Sequence, residues 1–218
     1  MAEADAAAAD RHAASIQRVV VIGAGTMGHG IAQVAAQAGC AVRLVDVEPE
    51  AVRRGLERVR ENLEGGVARG KVAPEARDAA LARLTGGTSI ETAAADAELV
   101  IEAVPERLEL KREIFRALSD ATPADALLAT NTSSLSVGAI QEVTEQPGRV
   151  LGLHFFNPVH IMALVEVVRG PRSDDATIAA GVAFARRLGK DPIVVNDVPG
   201  FASSRLGVAL GLEAIRMV

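Results

Sequence analysis

Val19-Val20-Val21-Ile22-Gly23-Ala24-Gly25-Thr26-Met27-Gly28 is an apolar run that breaks on three glycines, and a second apolar run, Ala41-Val42-Arg43-Leu44-Val45, ends on Asp46. The pattern reads as strand, glycine turn, helix and second strand. Each glycine answers a steric demand: Gly23 allows the tight turn, Gly25 lets backbone approach a diphosphate, and Gly28 lets the helix pack closely. The unpaired N–H groups and positive dipole end of the helix opening at Thr26 and Met27 would then receive the diphosphate. Glycine-rich turns are common, so the context carries the reading. Ile31, Val34, Ala35 and Ala38 form a helical stripe, and Gly39 sits where a helix stop is expected. Asp46 stands where a carboxylate accepts from the adenosine ribose hydroxyls and repels a 2′-phosphate, which favours NAD over NADP. It also opens the turn Asp46-Val47-Glu48-Pro49 into the next helix, and the two roles are compatible.

The rest of the chain continues the alternation. A charged helix is predicted from about Glu48 to Ala68, loosened at its end by Gly65, Gly66 and Gly70, and a helix from Pro74 through Leu84 follows it. Strands are predicted at 99–104, 126–130, 150–154, 164–168 and 192–195, with helices at 108–118 and 174–188 between them. The expected fold class is α/β, a doubly wound and mostly parallel Rossmann-type sheet with right-handed crossovers. The 218 residues, 49% hydrophobic, suit such a buried sheet.

Composition narrows the function classes. A net charge of −5 gives no support for nucleic acid or an acidic membrane as partner. Neither an apolar stretch of membrane length nor a basic-then-apolar leader is present, so a cytoplasmic protein is expected. Cys40 is a lone thiol beside a predicted strand, and no metal-ligand set is expected. Residues 1–15, Ala-rich and including His12, read as a disordered tail; residues 16–198 read as the dinucleotide-binding domain.

Polar residues gather at predicted strand ends, where open α/β sheets bind ligands. Asn131-Thr132-Ser133-Ser134 follows one strand and His154-Phe155-Phe156-Asn157-Pro158 ends another. Glu166 interrupts an apolar strand, and a buried glutamate asks for a cationic or hydrogen-bonding partner. Histidine is a natural one, because a carboxylate on one ring nitrogen fixes the tautomer and leaves the other nitrogen for proton transfer. A lone histidine near a sheet is more often structural, and His29 and His160 keep that reading.

The stretches GAGTMGHGIAQ, EAVPERLELK, ATNTSSL, LGLHFFNPVHIMALVEVV and NDVPGFASSRL resemble the L-3-hydroxyacyl-CoA dehydrogenase family, including 3-hydroxybutyryl-CoA dehydrogenases, in order from about Ile16 to Val218. The resemblance implies NAD as cofactor, an acyl-CoA substrate, and His154 with Glu166 as the catalytic pair. It implies that Ser133 contacts the substrate oxygen or the nicotinamide, that Asn157 lies beside the nicotinamide, and that Glu106 and Lys111 lie near the cofactor. Asn62 and Arg69 fall where the family's helical hairpin touches coenzyme A. The family commonly has Asn where this chain has Ser204, before Arg205; serine keeps a donor and acceptor but is shorter. The family's helical C-terminal domain, which closes over the acyl group and forms the dimer, corresponds here to its first helix alone, residues 199–218. Leu206, Val208, Leu210, Leu212, Ile215 and Met217 give that helix an apolar surface, so self-association through residues 202–218 is expected. Two other readings share the scaffold: a dehydrogenase of a free hydroxy acid, and a cofactor-binding module with little turnover.

Overall fold

The structure, a computed structural model, describes residues 16–217; the predicted tail lies outside them. Eight strands form one sheet: β1 (Arg18–Ile22), β2 (Ala41–Val45), β3 (Leu84–Gly87), β4 (Leu99–Glu102), β5 (Leu127–Thr130), β6 (Val150–Phe155), β7 (Leu164–Arg169) and β8 (Asp191–Asn196). Their order is β3-β2-β1-β4-β5-β6-β7-β8. Every neighbouring pair is parallel except β6 and β7, which run antiparallel. The helices are α1 (Thr26–Gln37), α2 (Pro49–Ala68), α3 (Pro74–Ala82), α4 (Ile90–Ala94), α5 (Leu108–Ala121), α6 (Val137–Gln141), α7 (Asp175–Arg187) and α8 (Ser203–Arg216).

The doubly wound arrangement follows from strands that are apolar on both faces. On β1, Val19 and Val21 enter a core with Ile31, Leu44 and Phe184, while Val20 and Ile22 enter another with Phe115, Leu118 and Leu128. Cys40 is buried in the first core and its thiol donates to the Ile16 carbonyl at 3.7 Å. Burial pushes that thiol's pKa up, as an inert core cysteine requires.

One expectation is corrected. The second helix of the hairpin stops at Ala82, and Leu84–Gly87 is an edge strand beside β2; its Gly-Gly end hid the short apolar signal. α2 ends at Ala68, as its sequence predicts. A Cβ on Gly66 would meet Val72 at 2.7 Å, so that glycine lets the hairpin close.

β1 lies between β2 and β4, so the chain switches direction across the sheet there, and the carboxyl ends of β1 and β4 open a crevice.

Candidate active site

The glycine turn is built as its sequence demands. Gly23 has φ +97°, and a Cβ there would lie 2.7 Å from the Ala103 carbonyl oxygen. A Cβ on Gly28 would fall 1.7 Å from the Gly23 carbonyl oxygen, so α1 starts directly on the turn. Over Gly25 there is open space within 4 Å of an added Cβ. α1 has no side-chain cap and no acidic residue in its first turn, which leaves its N-terminus to an anion. A cleft of about 580 Å³ lies against this turn, lined among others by Gly23, Thr26, Met27, Asp46, Val104 and Pro105. A dinucleotide fits these features: a backbone-lined cradle, a free helix end and a carboxylate at the far side. Asp46 Oδ2 accepts from the Ala24 N–H at 2.9 Å and Oδ1 from the Glu48 N–H at 3.3 Å. It therefore braces the glycine turn and the entry to α2 at the same time.

Beyond the cleft lies a second cluster. His154 on β6 pairs directly across the antiparallel ladder with Glu166 on β7, which places their side chains on one face. His154 Nδ1 is 2.7 Å from Glu166 Oε2, and both residues are buried. Glu166 Oε1 accepts from the backbone N–H groups of Ala202 (3.0 Å) and Ser203 (2.8 Å), and Oε2 accepts from the Ser203 hydroxyl (3.1 Å). The carboxylate thus sits on the N-terminus of α8. Burial pushes the Glu166 pKa up, but the bonds from His154, Ser203 and Ala202 outweigh it and hold the carboxyl below its ordinary range. All four acceptor positions face donors, so the imidazole is held with its proton on Nδ1 and Nε2 open. The rings of Phe156 and Phe201 stand 4.6 and 5.8 Å from the imidazole centroid.

Between the two clusters runs an ionic array, buried at Glu102 and Lys111 and open at Glu106, that sequence reading saw only in part. Lys111 Nζ lies 2.7 Å from Glu102 Oε1 and 3.4 Å from Glu106 Oε2. Glu102 also accepts from the Val104 N–H and the Thr130 hydroxyl, each at 2.7 Å. Glu106 Oε1 accepts from the Thr132 hydroxyl (2.5 Å) and from the N–H groups of Ser133 (2.8 Å) and Ser134 (3.1 Å). Burial pushes Glu106 up, but the Thr132 bond, the Lys111 charge and those N–H groups hold it below the usual carboxylate range. Glu102 could have been found by the same argument that found Glu166: a carboxylate in an apolar strand needs a partner.

The side chains of other predicted residues stand outside these hydrogen-bonded clusters. Ser204 is exposed, and its neighbour Ser203 is the serine bonded to Glu166. The helix begins at Ser203, and that phase decides which hydroxyl turns toward Glu166. Ser133 and Asn157 stand exposed at the ends of β5 and β6, over the same edge. Asn62 Nδ2 donates to Gln33 Oε1 at 3.1 Å, and Arg69 is exposed at the end of α2, so both lie on the hairpin side. Lys190, also missed, is buried, and its ammonium donates to the carbonyls of Val159 and, at 2.8 Å, Met162. It pins the loop that follows Asn157.

The family model for the 3-hydroxyacyl-CoA dehydrogenase NAD-binding domain matches residues 18–198. A probable 3-hydroxybutyryl-CoA dehydrogenase of Bacillus subtilis is 42% identical over 203 residues, covering 93% of this chain and 70% of that protein. The crystal structure of Mycobacterium tuberculosis FadB2 superposes with a TM-score of 0.88 at 45% identity, over 93% of this chain and 72% of the other. That of (S)-3-hydroxybutyryl-CoA dehydrogenase from Ralstonia eutropha gives 0.87 at 40% identity, over 90% and 69%.

Proposed function

The chain belongs to the 3-hydroxyacyl-CoA dehydrogenase family, and from that premise we propose how its residues carry the reversible, NAD-dependent oxidation of a (3S)-3-hydroxyacyl-CoA to the 3-oxoacyl-CoA. The observation that carries the reading is the His154–Glu166 pair, 2.7 Å apart on β6 and β7, beyond the dinucleotide cleft. NAD, when bound, supplies the ring that accepts the hydride from C3. His154 Nε2 takes the proton of the C3 hydroxyl, and the Glu166 carboxylate on Nδ1 stabilises the imidazolium that forms. In reverse, that imidazolium returns the proton to the keto oxygen. Ser133, whose N–H is tied to Glu106, offers its hydroxyl to the substrate oxygen, and Asn157 stands beside the ring.

Gly23, Gly25, Thr26, Met27 and Gly28 hold the diphosphate, and Asp46 the adenosine ribose. Glu106 and Lys111 support the nicotinamide end, and Asn62 and Arg69 on the hairpin receive coenzyme A. Residues 16–198 are the cofactor unit, and α8 begins the part that covers the acyl group. Among the described residues no helix is long and apolar enough to cross a membrane. The cytoplasm is the compartment we assign. α8 buries none of its side chains, with Leu206 61%, Leu210 63% and Ile215 73% exposed. This surface supports a homo-oligomer formed through that helix.

The test is loss of NADH absorbance with acetoacetyl-CoA, set beside the same assay with free acetoacetate and beside NADH affinity alone. Turnover with the thioester only is expected. Faster turnover of the free acid would replace coenzyme A in the reading, and tight NADH binding without turnover would leave a cofactor-binding module.

A further inference from the structure

The array of Glu102, Lys111 and Glu106 holds two carboxylates against one ammonium. The side chains of Glu102 and Lys111 are wholly buried, and that of Glu106 is 38% exposed. The remaining partners of both carboxylates are neutral: the hydroxyls of Thr130, Thr132 and Ser134 and the N–H groups of Val104, Ser133 and Ser134. Neutral donors steady an anion without cancelling its charge, so the array carries one net negative charge, on the Glu106 side. The position of that charge follows from the sheet order. Asp46 marks the adenosine end on β2, the glycine turn the diphosphate on β1, and His154 on β6 the reacting carbon. Glu106 follows β4 and is bonded to the loop after β5, between the diphosphate cradle and the acid–base pair.

Given the proposed NAD reading, on which this inference rests, we propose that Glu106 is a specificity-determining residue for the redox state of the cofactor, its carboxylate favouring the oxidised, cationic nicotinamide over the reduced, neutral one. The charge balance of the reaction makes this consequential. When the hydride leaves C3 and the hydroxyl proton passes to His154, the positive charge of the oxidised ring disappears and one appears on the imidazole. Glu166 faces the charge that appears; Glu106 faces the charge that is lost. One carboxylate favours each side of the equilibrium; Glu166 is wholly buried, whereas Glu106 is partly open to solvent and acts at a higher effective dielectric.

The experiment measures dissociation constants of NAD+ and NADH by calorimetric titration, for the unmodified protein and for Glu106→Gln, Glu106→Ala, Glu106→Asp, Thr132→Val and Asp46→Ala, each checked for folding by thermal melting. Removing the charge with Gln or Ala should raise the ratio Kd(NAD+)/Kd(NADH) by about fivefold or more. Glu106→Asp, which keeps the charge, should hold the ratio within about twofold. So should Thr132→Val, which removes a positioning bond but leaves the carboxylate. Asp46→Ala should weaken both cofactors alike, because the adenosine end is identical in the two. An unchanged ratio in Glu106→Gln and Glu106→Ala, with both constants rising together, would overturn the inference and leave Glu106 as a brace for the Ser133 loop. Binding of neither cofactor by the unmodified protein would instead overturn the functional reading, and the inference with it.

Discussion

Glu166→Gln is the substitution for which the structure sets the sharpest expectation. An amide keeps the size of the carboxylate but offers one oxygen, whereas all four acceptor positions of Glu166 face donors. With the amide oxygen toward α8, the N–H groups of Ala202 and Ser203 stay satisfied and the amide NH2 meets His154 Nδ1. Nδ1 must then accept, the ring proton moves to Nε2, and the atom that should take the substrate proton is blocked. With the amide reversed, two buried N–H groups face an NH2 group. Each lost acceptor costs about 1–3 kcal/mol, about 2–6 kcal/mol together, so the blocked tautomer dominates by roughly thirtyfold or more. Loss of the charge that stabilises the imidazolium adds to this. The combined expectation is a drop in kcat of roughly 10³–10⁴-fold, the scale seen when the carboxylate of a hydrolase triad is amidated. The assay is NADH oxidation with acetoacetyl-CoA, alongside NADH titration, in which affinity should change little because the glycine turn is untouched. A kcat within tenfold of the unmodified protein would refute the reasoning and move proton transfer away from His154.

The two adjacent serines should separate cleanly in the same assay: Ser203→Ala, which removes a donor from Glu166, should cost about three- to tenfold in kcat, and Ser204→Ala should change it by less than twofold. Asp46→Ala should narrow the preference for NAD(H) over NADP(H) by about tenfold or more, since a like charge facing the 2′-phosphate is removed; competitive titration of the two cofactors checks this, and equal binding by the unmodified protein would remove the ribose role. The carboxyls of Glu166 and Glu106 are held below their ordinary range, so their contribution to stability is complete above the unfolded glutamate value of about 4.3 and is lost as pH falls through the lower folded values. Urea melts should therefore weaken below about pH 4.5, with a shallower acid limb in Glu106→Gln, beneath an earlier decline that starts as pH falls through about 6.5, because burial lowers the pKa values of His29 and His160. A chain of residues 1–218 should self-associate in light scattering and one ending near Val198 should not, since each apolar side chain of α8 gains about 1.5–3 kcal/mol on full burial; a monomer at high concentration with α8 ordered would refute that contact.

The sheet and its cofactor edge are written in the sequence because local chemistry forces them. Only glycine tolerates φ +97° at position 23 or the approach to its carbonyl at position 28, and an apolar run such as Val19–Ile22 is stable only when buried on both faces. Glu166 announced a partner for the same local reason, the cost of an unpaired buried charge. What the sequence could not carry was phase and distance. The antiparallel return of β7 sets His154 opposite Glu166 rather than one residue aside, and a slip of one would turn every side chain to the other face. The start of α8 decides that Ser203 and not Ser204 meets the carboxylate. Lys190 reaches the loop after β6 from the far end of α7, and Lys111 joins carboxylates from a strand and a turn. Those contacts exist only once distant segments are packed, so tertiary structure alone decides which charges are paired and where the unpaired one faces.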